Sequence, residues 1–237
     1  MRNKFFFFLI LILSCAEKEP KKESITFAYC ILNPRFKNQI VIVDSLYGFT
    51  EEIRDTSGIS GANVFILEEE TGETTYFRES DRKGVYRDTM REEWVKPLFT
   101  YQLFVIFHSD TLWGRTKVPD TFSITFPKDF DTIPFSDIDS VIWRKSLGRK
   151  VYFFAVIHPD TTKPLIPIVT KDTFVALSRY RNFYFDTTAN YIIKVGAWDE
   201  NRYRYMVMKN YEPDTLGEGL GHFSSQTEDT ISIYIRK

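Results

Sequence analysis

Tyr101-Gln102-Leu103-Phe104-Val105-Ile106-Phe107, followed by His108-Ser109-Asp110 and then Thr111–Val118, is the stretch that decides the fold. The run is apolar or aromatic at every position but Gln102, and it ends in a polar turn. Short apolar runs bounded by turn residues read as strands, and one without polar alternation reads as central and covered on both faces. That expectation suits a β-sandwich with something packed outside it, such as a second domain. Working outward, the same pattern predicts strands at Ser24–Leu32, Gln39–Leu46, Ala62–Glu68, Thr74–Arg78, Gly84–Arg87 and Thr111–Val118. Glu70-Thr71-Gly72-Glu73 and His108-Ser109-Asp110 supply hairpin turns.

Beyond Pro119-Asp120 the texture changes. Residues 119–139 are rich in proline and aspartate, which predicts an irregular lead-in rather than a meander. Strands are expected again at Ser140–Arg144, Lys150–His158, Phe174–Leu177, Asn182–Phe185, Asn190–Trp198 and Thr230–Arg236. Gly217–Gly221 reads as a turn before the last strand. No sustained helical period appears. The best helix candidate is Asp199–Asn210, with Asp199 as N-cap, although a strand reading fits the same pattern. Composition agrees with an all-β chain: 22 Phe, 13 Tyr and 4 Trp among 237 residues, with frequent Val, Ile and Thr.

The N-terminus carries an address. Met1-Arg2-Asn3-Lys4 precedes the apolar run Phe5–Leu13, too short for a permanent span, and Ile12-Leu13-Ser14-Cys15 follows. These residues resemble the lipobox of bacterial lipoproteins, which implies cleavage before Cys15 and its lipidation; an ordinary signal peptide with a chance cysteine is the alternative. Residues 16–23 form a charged tract without apolar anchors and read as a solvated tether. Ala16 after the cysteine implies, by resemblance to sorting rules, an outer-membrane destination. The expected domains are thus a signal peptide at 1–14, a lipidated tether at 15–23, and sandwiches at 24–118 and 119–237. The membrane, through Cys15, is the first expected partner. A near-neutral charge of −1 and scattered cations exclude a nucleic-acid partner. Cys30, in Phe27–Leu32, reads as a small buried hydrophobe.

Two segments resemble known sandwich families. Val141-Ile142-Trp143, Tyr152–Ile157 and Tyr191–Ala197 look like a fibronectin type III or immunoglobulin-like domain. In that likeness Trp143 fills the core and Tyr191 forms a tyrosine corner. Ile59-Ser60-Gly61-Ala62-Asn63-Val64, Gly84-Val85-Tyr86 and Tyr101-Gln102-Leu103 are similar to prealbumin-like domains related to carboxypeptidase regulatory modules. Taken with the lipobox, Thr116-Lys117-Val118-Pro119, Tyr203-Arg204-Tyr205 and Gly219–Ser224, the whole resembles uncharacterised Gram-negative lipoproteins associated with TonB-dependent outer-membrane receptors. The resemblance implies a receptor or other envelope protein as partner and brings no catalytic residues.

Chemistry-bearing patterns are sparse. His108, His158 and His222 form no adjacent ligand set, and no Gly-x-Ser-x-Gly elbow, phosphate loop or dinucleotide fingerprint occurs. No cofactor is expected. Asp129, Asp131, Asp137 and Asp139 alternate in a way that suits calcium, with solvated loop acids as the plainer reading. Trp198, Tyr203, Tyr205 and Tyr211 surround the excursion between the last two strands. They are expected either to stack on sugars, as in a carbohydrate-binding module, to meet a partner protein, or to cap the core. Trp94, Phe99 and Trp113 read as packing residues. The function expected is non-catalytic binding or scaffolding, with a hydrolase assembled from distant residues as the remote alternative.

Overall fold

A computed structural model describes residues 25–46, 58–88, 93–108, 110–208 and 220–237. The first part of the chain forms β1 (Ile25–Leu32), β2 (Ile40–Leu46), β3 (Asn63–Glu68), β4 (Thr74–Glu79), β5 (Val85–Arg87), β6 (Thr100–Phe107) and β7 (Asp110–Lys117). After these come β8 (Ile124–Phe126), β9 (Thr132–Pro134), β10 (Ser140–Trp143), β11 (Val151–Ile157), β12 (Ile168–Thr170), β13 (Phe174–Ala176), β14 (Ala189–Trp198) and β15 (Leu220–Arg236). Among the described residues helix is limited to a 3-10 turn at Phe135–Asp137, α1 (Arg181–Tyr184) and α2 (Glu200–Tyr203), the last running on as a π turn over Arg204–Met208. The fold is all-β, as the composition predicts.

Two hydrophobic cores form, and one strand serves both. In the first, the layer β15-β1-β2-β5 faces the layer β4-β3-β6-β7, and β4 pairs with β5 at the corner between them. In the second, β12-β11-β14-β15 faces the three-stranded sheet β13-β10-β8. The 17-residue β15 pairs with β1 through Leu220–Ser225 and with β14 through Gln226–Ile235. Phe223 is accordingly part of the first core, while Ile231, Ile233 and Ile235 belong to the second. The division expected after residue 118 therefore does not describe Leu220–Ser225, which builds the earlier sandwich. The same sharing makes the large sheet mixed rather than antiparallel throughout: β15 runs parallel to both β1 and β9.

Local chemistry explains the first core's framing. Gly84 sits at φ +73°, and a Cβ there would lie 2.5 Å from the Val43 carbonyl oxygen, so no larger residue fits. It launches Tyr86, whose hydroxyl donates to the Ile59 carbonyl (2.8 Å) and accepts from the Ala62 amide (2.9 Å). The two motif pieces around Gly61-Ala62 and Gly84-Val85-Tyr86 are thus joined by one phenol. Cys30 is fully buried, and burial pushes its thiol far above the usual range, which makes it inert packing.

The second core follows the expected anchors. Trp143 is buried against Tyr152 and Phe154. Tyr191 is fully buried, its hydroxyl donating to the Thr187 carbonyl (2.9 Å) and accepting from the Thr187 amide (3.2 Å). Replacing Tyr191 by Phe keeps the ring and orphans both Thr187 groups, so chemical denaturation should show a loss of about 1–2 kcal/mol. An unchanged midpoint would show that the corner is decorative.

Two assignments fail. The last strand begins at Leu220 rather than Thr230, so Leu220 and Gly221 of the expected Gly217–Gly221 turn lie within β15. Asn182–Phe185 is not a strand: Tyr184 accompanies a helical turn in which its amide donates to Tyr180, and Phe185 bonds back to Arg181. Adjacent Tyr184 and Phe185 are both buried, which alternating strand geometry forbids on a one-sided sheet. Asp199 does cap a helix, its Oδ1 accepting from the Arg202 amide at 2.8 Å.

Between the sandwiches the chain is pinned rather than loose. Asp120 donates its amide to Leu147 O (2.8 Å), and its carbonyl accepts from Ser146 (2.6 Å) and Thr227 (2.9 Å). On the other side Asn201 Nδ2 bridges the carbonyls of Arg115 (2.8 Å) and Phe223 (2.9 Å).

Candidate binding face

The outer face of β4-β3-β6-β7 carries a straight row of aromatic side chains, one per strand. Register sets Phe65 opposite both Tyr76 and Phe104, and Phe104 opposite Trp113. The order across the sheet is therefore Tyr76, Phe65, Phe104, Trp113. The Phe65 and Phe104 rings stack with centroids 5.0 Å apart, and Phe65 to Tyr76 is 5.7 Å. Trp113 is 49% exposed and Tyr76 60%, while the two central rings are half-buried. Alternation forces this arrangement: Val64, Ile66, Leu103, Val105 and Leu112 fill the core, so their neighbours must face outward.

This corrects two expectations. Tyr101–Phe107 is not fully covered on both faces, because Gln102, Phe104 and Ile106 look away from the core and are only half-buried. Trp113 is not a packing residue, although Trp94 is buried and Phe99 packs partly against the core.

Polar groups are fixed beside the rings. Arg115 grips Glu69 in a two-pronged pair, Nε to Oε1 at 2.6 Å and Nη2 to Oε2 at 2.7 Å, while Gln102 Nε2 donates to the same Oε1 at 2.6 Å. The guanidinium holds the Glu69 carboxyl below the usual carboxylate range. Gln102 and Arg115 stand directly opposite each other in adjacent strands, one row from the aromatics.

The aromatics expected to bind lie elsewhere. Trp198 is buried, stacked on Phe153 at 5.0 Å with the Arg202 guanidinium 5.1 Å from its ring, so it cannot offer a face to sugar. Tyr203 is half-buried near Lys150, and Tyr205 stacks on His222 at 4.0 Å. Tyr211 and Cys15 lie outside the described residues. By register Trp198 lies on the side of β14 opposite the core residues Tyr191, Ile193, Val195 and Ala197, and it is buried there by Phe153 of β11 and the Arg202 side chain of α2.

The aspartates do not converge. Asp129 accepts from the Ser232 amide (2.8 Å), Asp131 from the Lys128 amide (2.7 Å) and Asp137 from Ser136 (2.6 Å), while Asp139 pairs with Arg181. Among the described residues no three His, Cys, Asp or Glu side chains are grouped to hold a metal.

Each histidine is otherwise engaged. His158 uses both nitrogens, Nε2 to Asp186 (2.7 Å) and Nδ1 accepting from the Asp160 amide (2.9 Å), which clamps a loop. His108 packs its ring on Phe107. His222 Nε2 meets Ser224 Oγ at 2.6 Å, but both residues are buried, so the pair faces no substrate. Burial, with a smaller push from Arg202, lowers His222 to about 3 and keeps it neutral.

The arrangement defines a class of protein, an all-β double sandwich with an exposed aromatic sheet face. No protein-family model matches the chain, and no curated protein matches it. Among solved structures it is similar to the FN1–FN3 domains of chicken CNTN1 (14% identity, TM-score 0.30, 88% of this chain and 68% of that one). It is also similar to a tetra-tandem repeat in the extending region of a large adhesion protein (8% identity, TM-score 0.27, 90% and 49%). A third is the N-terminal four Ig domains of Dscam1 isoform 8.4 (9% identity, TM-score 0.22, 92% and 45%). The chain spans about half the length of the last two. Scores this low carry no argument about function; the fold stands on strand pairing.

Proposed function

We propose that this chain is a lipid-anchored, non-catalytic binding protein of the bacterial envelope that works through the Tyr76–Phe65–Phe104–Trp113 face. The supporting observation is the alignment of four aromatic side chains on one sheet face, with Tyr76 and Trp113 exposed at its ends and Phe65 and Phe104 half-buried between them. The lipobox and charged tether support anchoring through Cys15 at the outer membrane, with a receptor or other envelope component as neighbour. Two histidines support the non-catalytic reading: His158 holds Asp186 and the Asp160 amide, and His222 and its partner Ser224 are both buried.

The test uses cysteine chemistry. Thr111 lies exposed on the same face, one row from the rings, and buried Cys30 does not compete for reagent. In Thr111→Cys, a maleimide should label the purified protein fast and the same protein in native envelopes slowly. Adding Tyr76→Ala should restore fast labelling. Equal rates in both settings would sink the binding-face reading, and an intact mass showing unmodified Cys15 would sink the anchor.

A further inference from the structure

We infer that the junction of the two sandwiches carries a membrane-contacting tip, Leu98 and Leu147 ringed by cations, which seats on the headgroup phosphates of an anionic lipid surface; the inference rests on the anchoring through Cys15 proposed above. Leu147 lies in the turn between β10 and β11 and Leu98 just before β6, and both are exposed. They are neighbours: Gly148 sits at φ +73°, and a Cβ there would lie 3.7 Å from Leu98 Cδ2. One apolar tip is thus assembled from both sandwiches.

The tip is rigidly held. Leu98 adopts φ +66°, a left-handed conformation costly for leucine, and its amide donates to the Val118 carbonyl (2.9 Å). The Leu147 carbonyl accepts from the Asp120 amide (2.8 Å), and the Ser146 amide donates to the Tyr152 hydroxyl (2.7 Å). Backbone strain that leaves an apolar side chain outside the core is not accounted for by packing. Cations surround the pair: Arg144 and Lys145 precede Leu147, Arg149 follows it, and exposed Lys117 ends β7 beside Val118. Among the described residues none of the four pairs with a carboxylate; Arg149 donates to the Ser146 and Lys171 carbonyls (both 3.2 Å), which leaves its charge uncompensated. The acids of the adjoining turns, Asp120 and Glu70, are held on the amides of Thr121 (2.8 Å) and Thr100 (2.9 Å). The tip therefore keeps a cationic excess in a chain of net charge −1.

A small apolar tip inside a cationic ring is complementary to an anionic bilayer: headgroup phosphates attract the ring, and the leucines enter the boundary with the acyl chains. Two leucine side chains are too little for a protein contact, which removes about 800 Å² from each partner. Reach agrees. β1 runs from Ile25, where the tether joins, to Leu32 beside Ser225, whose hydroxyl donates to the Lys117 carbonyl at the junction (2.9 Å). That is about 27 Å of strand, and the chain from Cys15 to Ser24 can extend about 33 Å. A molecule anchored at Cys15 can therefore lie along the membrane and set the tip on it.

The test places a polarity-sensitive maleimide dye on Leu147→Cys, since Cys30 is buried and does not compete. The full chain, purified from membranes, is reconstituted into vesicles of phosphatidylcholine alone or of an equal mixture with phosphatidylglycerol. Nitroxide-bearing lipids in the mixed vesicles should quench the dye strongly. Phosphatidylcholine alone, about 1 M salt, or Arg144→Glu combined with Lys145→Glu should each cut that quenching about fivefold. Leu98→Gly, which suits the left-handed backbone and removes the apolar branch, should weaken the quenching without loss of stability. Quenching that ignores lipid composition, salt and charge reversal would overturn the assignment. So would shielding of Leu147→Cys in native envelopes without any response in vesicles, which would give the tip to an acidic protein. Intact mass of the same sample reads the anchor separately. A lipidated Cys15 without dependence on lipid charge removes the tip and leaves the anchor; an unmodified Cys15 removes the anchor and this inference with it.

Discussion

Truncating Phe223 to alanine should destabilise the protein by about 3–5 kcal/mol, the usual cost of deleting a fully buried phenylalanine, and should do so across the whole molecule. Phe223 is completely buried in the first core, yet it lies on β15 three residues before that strand takes up its pairing with β14. Independent tandem domains would confine the damage to one of two transitions. A shared strand carries it across, because Leu220–Ser225 cannot leave β1 without loosening the residues that follow along the same backbone. Calorimetry should therefore show one endotherm shifted as a unit. Two endotherms, only the first of them moved, would show that β15 does not couple the sandwiches.

The second large effect concerns pH. Asp199 is buried at the junction, and burial raises its carboxyl to about 6 against the hydrogen bonds from Thr116 and the Arg202 and Ser225 backbones. In the neutral form the carboxyl can donate to Thr116 Oγ1. Thr116 then donates to Ser225 Oγ (2.9 Å), which donates to the Lys117 carbonyl (2.9 Å), so every proton in the chain has an acceptor. A folded value raised from 3.8 to about 6 means that this site's stability is fully present below pH 3.8 and is lost as pH rises to about 6. The amount is roughly 3 kcal/mol.

His222 works in the opposite direction. Its folded value of about 3 lies below the ordinary 6.5, so its contribution is present above pH 6.5 and lost as pH falls toward 3. Between pH 4 and 6 the two oppose each other and the parent profile is shallow. Asp199→Asn, which keeps both the helix cap and a donor to Thr116, should leave stability falling on acidification. His222→Gln should leave it rising. Urea midpoints measured across that range decide the matter, and identical slopes for the parent and both variants would refute the assignment.

Much of this was open to reading along the chain. Strand-length apolar runs, the Gly84-Val85-Tyr86 launch, the Tyr191 corner and the Asp199 cap are local signals, each set by a few neighbouring residues. Even part of the aromatic row is local: the hairpin turns fix Phe65 opposite Tyr76 and Phe104 opposite Trp113. What joins those two pairs is the pairing of β3 with β6, residues some forty apart, and no turn encodes it. Without that step the central strand reads as covered on both sides and Trp113 as filler.

Sequence by itself determined the all-β character, because the spacing of apolar residues and turn formers admits no long helix. The anchors of each core, Tyr86 with Gly84 and Trp143 with Tyr191, were legible in the same way. Tertiary structure alone decided that β15 belongs to both sandwiches, that Trp198 is covered by Phe153 and Arg202, and that four rings align on one outer sheet face. The physical reason is range. Which side of a strand is buried follows from its own alternation, whereas which strands lie side by side, and so which outward side chains become neighbours, is settled by backbone pairing between distant segments.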